Sequence, residues 1–188
     1  QAGSKQTVAI FWATDYRVSL MTWFIKGVQD YISENDANIE IVICPYSPGQ
    51  LSEVATIENL NLYSAAIICT VSREELQYVE RTRFMTPVVL YNRTSKKYCT
   101  VSTDSEAIGR KAAEVLRTQG CAEAVVITDG ERHSYTETRV RSFQEAMALS
   151  GIPVSILTAP ENSISQGLAT AGAIRFGGGK CGVFTTAD

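Results

Sequence analysis

Short apolar runs rich in Val, Ile and Ala alternate along this chain with stretches whose apolar residues recur at helical spacing. That alternation restricts the fold more than any other feature of the sequence, because strands separated by helices return in the same direction and form parallel sheets covered on both faces. Residues 7–13, TVAIFWA, read as a first strand, and Leu20, Phe24, Val28, Tyr31 and Ile32 behind it share a helical face. Strands follow at 39–44, 65–69 and 87–91, with helices at 50–60 and 74–83 between them.

A short strand at 100–102 leads to Asp104, an N-cap signal for a helix over 105–118 that carries Ile108, Ala112, Val115 and Leu116 on one face. The alternation then restarts, with strands at 124–128, 154–157 and 182–185 and helices at 136–149 and 164–174. The fold class this predicts is α/β, with two Rossmann-like lobes of parallel sheet flanked by helices. Residues 1–6 read as a linker remnant, 7–102 as the N-terminal lobe and 103–188 as the C-terminal lobe. Only three strands fall in the second lobe before Asp188, so that lobe is expected to be truncated in this sequence.

Composition narrows the class of function. The 188 residues are 45% hydrophobic and 20% charged, ordinary for a globular protein, and no apolar run reaches the length of a membrane span. A net charge of -3 argues against direct nucleic-acid binding, since phosphate contacts need clustered Lys and Arg. Lys96-Lys97 is explained by a solvated turn. The five cysteines are odd in number and lack C-x-x-C spacing, and Cys44, Cys69 and Cys99 fall in or beside strands as small apolar residues. This favours a reducing cytoplasm over a disulfide framework.

Catalytic readings are weak. The single histidine, His133, stands near no motif-like Ser or Cys and no ligand cluster surrounds it, so neither a nucleophilic triad nor a metal site is expected. Gly177-Gly178-Gly179-Lys180-Cys181 lacks the first Gly and the Ser/Thr of a phosphate loop, and it precedes a strand instead of following one.

Pro87-Val88-Val89-Leu90-Tyr91-Asn92-Arg93, followed by Val101, Asp104, Gly109, Ala113 and Leu116 in register, resembles the lactose/galactose-repressor (LacI/GalR) family of bacterial transcription regulators. The resemblance is to their effector-binding domain, which shares its periplasmic-binding-protein-like type I fold with exported sugar-binding proteins. Further along, Arg139-Val140-Arg141-Ser142-Phe143 is similar to the family's Arg-x-x-Gly-aromatic segment, with Ser142 in the place of the usual Gly. Cys121 stands after Gly120 where a His is frequent in the family.

The resemblance implies a site at the strand ends, where a cleft between lobes takes a small effector. It implies that Arg139 binds effector hydroxyls or carboxylates, a task suited to the donor fork of a guanidinium. Asp188 matches the Asp that ends the family's strand, and Asn92 matches a position that is often Asp. Thr14, Asp15 and Tyr16 occupy the loop through which the first lobe contacts effector, and Ser72 after the third strand is a weaker candidate. Trp12, Tyr16, Trp23 and Phe24 could offer an aromatic face to a ligand, although core packing accounts better for Trp12 and Phe24.

The expected function is therefore effector sensing by a cytoplasmic homodimeric regulator, with sugar or a related metabolite as ligand. Operator DNA would be reached through an N-terminal helix-turn-helix outside this sequence. No enzyme activity, cofactor, metal or membrane partner is expected. The rival reading is an exported sugar-binding protein of a transport system.

Overall fold

The computed structural model describes residues 4–14, 18–69, 71–130, 134–160, 163–175 and 177–186. The chain divides into two compact units, Gln1–Thr103 and Asp104–Asp188.

In the first unit, strands β1 (Gln6–Ala13), β2 (Ile39–Tyr46), β3 (Ala65–Cys69), β4 (Val88–Tyr91) and β5 (Cys99–Val101) form one parallel sheet in the order β2-β1-β3-β4-β5. Helices α1 (Val18–Glu34), α2 (Leu51–Val54), α3 (Ile57–Leu60) and α4 (Arg73–Arg81) connect them. From Val8 to Ala13 strand β1 is apolar because both of its faces are covered. Ala9, Phe11 and Ala13 pack with Leu51, Leu60 and Val79, while Ile10 and Trp12 pack with Leu20, Met21, Phe24 and Ile25 of α1. Trp12 and Phe24 are thus core residues, their ring centroids 5.6 Å apart, whereas Trp23 on the other side of α1 is exposed.

The second unit holds α5 (Ser105–Thr118), β6 (Glu123–Asp129), α6 (Ser134–Ala148), β7 (Val154–Ala159), α7 (Ile164–Gly172) and β8 (Cys181–Thr185). Its sheet is also parallel and runs β7-β6-β8. Phe143 and Met147 of α6 pack with Ala113, Ala124 and Val126, and the Phe143 and Phe184 rings stack at 4.8 Å.

Three expectations change. Residues 50–60 are two short helices, because Thr56 leaves helical geometry to accept a hydrogen bond from Asn59 N while Asn59 Nδ2 donates back to the Val54 carbonyl. In α5 the buried face is Ser105, Gly109 and Ala113, and Val115 is exposed. Cys99 is exposed as well, since β5 is the sheet's edge strand and has no buried position.

The α5 face turns toward small residues because α6 passes very close. A Cβ on Gly109 would overlap both Ser142 Oγ and the Arg139 carbonyl oxygen, and would stand 3.0 Å from Phe143 N. Ser142 is itself buried, with its hydroxyl donating to the Arg139 carbonyl at 3.2 Å. Overpacking of this kind costs on the order of 1–3 kcal/mol, which is the loss of unfolding free energy expected for Gly109→Ala in urea denaturation. Adding Ser142→Gly to that variant should recover little, because the clash with the backbone carbonyl remains. Full recovery would show that the side-chain clash alone sets the helix spacing.

Candidate functional site

Both sheets reverse their winding beside a central strand. In the first unit β1 lies between β2 and β3, and in the second β6 lies between β7 and β8. Where the order reverses, the loops after neighbouring strands leave on opposite faces and open a crevice at the carboxyl ends, the position that ligands take in open α/β sheets. Thr14 and Ser72 follow β1 and β3 at the first reversal. Thr128 and Thr186 stand at the second, with Thr186 Oγ1 and Thr128 Oγ1 3.1 Å apart and Thr186 N donating to the Ile127 carbonyl at 3.0 Å.

Thr14 is exposed, and its amide continues the ladder to the Tyr46 carbonyl at 2.9 Å. Ser72 caps α4: its hydroxyl accepts from Glu75 N at 3.2 Å, and Glu75 Oε2 accepts from Ser72 N at 2.8 Å. Such a hydroxyl keeps its proton for a second partner. Asn92 is half-buried at the end of β4 with φ of 59°, a left-handed turn that Asn tolerates. Its amide donates to the Val101 carbonyl at 2.7 Å.

In the second unit Arg139 rises from the first half of α6 to the same strand-end edge. Its Nη1 donates to the Thr186 carbonyl at 2.8 Å, and its guanidinium carbon lies 5.2 Å from the centre of the Tyr135 ring. The planar fork is thereby held by a carbonyl on one side and an aromatic face on the other. Asp15, Tyr16, Asp188 and His133 lie outside the described residues.

Other groups at these edges were not singled out as site residues. Arg93 is buried, and donates from Nε to the Val71 carbonyl at 2.5 Å and from Nη1 to the Asn92 carbonyl at 2.7 Å. Glu75 is buried too, its Oε1 accepting from Gly49 N at 2.9 Å. The sequence signal for Glu75 was the capping box Ser-x-x-Glu. Tyr135 and Thr186 carry no local pattern. Among the described residues no group of three or more His, Cys, Asp or Glu is placed to hold a metal ion, and no helix is long and apolar enough to cross a membrane. Lys97 is engaged elsewhere, donating to the Glu80 and Thr82 carbonyls at the end of α4.

Cys69 ends β3 beneath this edge, completely buried, and burial alone pushes its thiol well above the usual range. The unfolded chain therefore releases that proton first, so this residue makes stability fall as pH rises through the range of an exposed thiol. At mildly alkaline pH a thiol reagent should label Cys99 in the native protein and reach Cys69 only on unfolding, as peptide mapping by mass spectrometry would read. Labelling of Cys69 at the rate of Cys99 would contradict the packing described.

No family model matches the sequence, and no curated protein matches it. Solved structures do. A LacI family transcription regulator from Clostridium acetobutylicum superposes with a TM-score of 0.83 at 29% identity, covering 96% of this chain and 68% of that one. The trehalose repressor from Escherichia coli gives 0.71 at 15% identity, covering 93% and 67%. The Cra transcriptional dual regulator from Pseudomonas putida, in complex with fructose 1-phosphate, gives 0.68 at 15% identity, covering 96% and 68%. This chain thus spans about two thirds of each. The resemblance carried by 87–116 and 139–146 extends through the architecture, and the chain has the effector-binding-domain fold of the LacI-family transcription regulators.

Proposed function

We propose that this chain is the effector-sensing part of a LacI/GalR-type transcription regulator, and that it binds a sugar or related metabolite at the carboxyl ends of its strands. The observation that carries this reading is Arg139, held at the winding reversal of the second sheet between the Thr186 carbonyl and the Tyr135 ring. A guanidinium kept in a fixed plane at a strand-end crevice can offer bidentate hydrogen bonds to vicinal hydroxyls, a carboxylate or a phosphate. In the first unit Thr14, Ser72 and Asn92 supply hydroxyl and amide groups at the corresponding edge, a set that suits a polar, hydroxyl-rich ligand. Asp15, Tyr16 and Asp188 complete the proposed ligand set.

The fructose 1-phosphate bound by the Pseudomonas putida relative belongs to the same ligand class. Residues 7–102 and 103–188 are the two lobes in this proposal, with 1–6 as linker. A ligand that takes groups from both lobes binds one arrangement of them better than another, and that difference in affinity shifts the equilibrium between them. Operator binding would be coupled to it reciprocally through a dimer and a helix-turn-helix that precedes this sequence, in the cytoplasm. No catalytic step is assigned. The reading as an exported transport protein is not favoured, since the relatives just described are transcription regulators.

Titration calorimetry against a panel of sugars and sugar phosphates that includes D-fructose 1-phosphate tests the reading. Arg139→Ala should abolish the binding shown by the unmodified protein while leaving its circular dichroism unchanged. Equal affinity in the two proteins would remove Arg139 from the site.

A further inference from the structure

We infer that Glu75 and Arg93 are positioning residues that lock three strand-end loops of the first unit into one body, and so hold Ser72 and Asn92 in their ligand-facing places. This rests on the proposed reading of Ser72 and Asn92 as ligand groups. The locking itself is argued from geometry within the first unit.

Two fully charged residue types lie buried at this edge, each with about 6% of its surface exposed. Burying a charge is costly unless hydrogen bonds compensate, so what each charge is bonded to shows what it holds in place. Glu75 bridges two loops. One carboxylate oxygen accepts from Gly49 N, in the turn after β2, and the other accepts from Ser72 N, after β3. Gly49 has φ of 81°, so the turn that aims its amide at Glu75 needs a glycine.

Arg93 bridges the next pair. Nε reaches the Val71 carbonyl, one residue before Ser72, and Nη1 returns to the carbonyl of Asn92 after β4. Asn92 N in turn bonds the Val101 carbonyl at the end of β5. The loops after β2, β3 and β4 are therefore joined in series: Gly49 to Glu75, Glu75 to Ser72, Val71 to Arg93, and Arg93 to Asn92. A lone helix cap needs only the Ser72–Glu75 reciprocal pair, and a buried Arg in the core would not select two carbonyls on separate loops. The series is what a rim must have if polar groups from different strands are to meet a ligand without being ordered by it.

Amide hydrogen exchange without ligand tests the coupling, so its outcome stands whether or not the effector reading survives. Arg93→Met should speed exchange at the Gly49 and Ser72 amides, whose acceptor is Glu75, by about tenfold or more, the size that follows from losing a charge-assisted hydrogen bond. Glu75→Gln should do the same at Asn92. The core amides of β1 and β3 should keep their protection, which separates loop release from general destabilisation. If Arg93→Met does not fold, Arg93→Lys is read instead, since it keeps the charge but not the fork. Exchange that rises only within each substituted residue's own loop, or in proportion at the core amides, would overturn the inference.

Discussion

The first unit depends on burying both faces of its parallel sheet. Parallel strands cannot be joined by tight turns, so each must be followed by a crossover that covers one face, and a central strand survives only if crossovers run on both sides of it. Strand β1 meets that requirement with Phe11 and Ala13 toward α2–α4 and Ile10 and Trp12 toward α1. The same geometry creates the crevices. Once winding reverses beside β1 and β6, the strand-end loops there part to opposite faces, and polar groups released at those ends have nowhere else to gather.

This is why so much of the fold was legible. Strands with two covered faces read as unbroken apolar runs, and helices with one covered face read at 3.6-residue spacing, so the two signals do not blur. The 105–118 helix and the 65–69 strand emerged at their observed limits. Failures came where local chemistry overrode periodicity. Thr56 and Asn59 close hydrogen bonds that a continuous helix over 50–60 would forbid. In α5 Ala112 and Leu116 pack against the core as expected but Val115 does not, and the closest approach to α6 is at Gly109, which has no hydrophobicity to register. Edge position, which exposes Cys99, is a property of the sheet and not of the residue.

Site legibility followed another rule. Arg139, Asn92, Thr14 and Ser72 could be placed at strand ends because they sit a fixed distance after apolar runs or within a family motif. Their partners could not. The pairing of Arg139 with the Thr186 carbonyl spans 47 positions, and that of Arg93 with Val71 spans 22. Such bonds go to backbone carbonyls, which every residue possesses, so no side-chain pattern marks the accepting end. Glu75 shows the intermediate case. Its cap was readable from Ser72 three positions earlier, while its reach to Gly49 was not.

The departure at Ser142 has a structural consequence that bears on Arg139. Where the related segment has glycine, this chain has a buried hydroxyl that donates to the Arg139 carbonyl at 3.2 Å, on the face of α6 pressed against Gly109. A hydroxyl turned back on the preceding turn satisfies itself within the helix, so it can be buried against α5 without a partner there. The crossing therefore stays close despite the added atoms, provided position 109 carries no side chain. Arg139 is fixed at both ends as a result: its backbone by the crossing with α5, and its guanidinium by Thr186 and Tyr135. A long, flexible side chain loses rotamer freedom when it binds, and one already held loses less. Gly109 on α5 and Ser142 on α6 thus help to hold Arg139 through its backbone, the glycine by the close approach it permits and the serine by its hydroxyl.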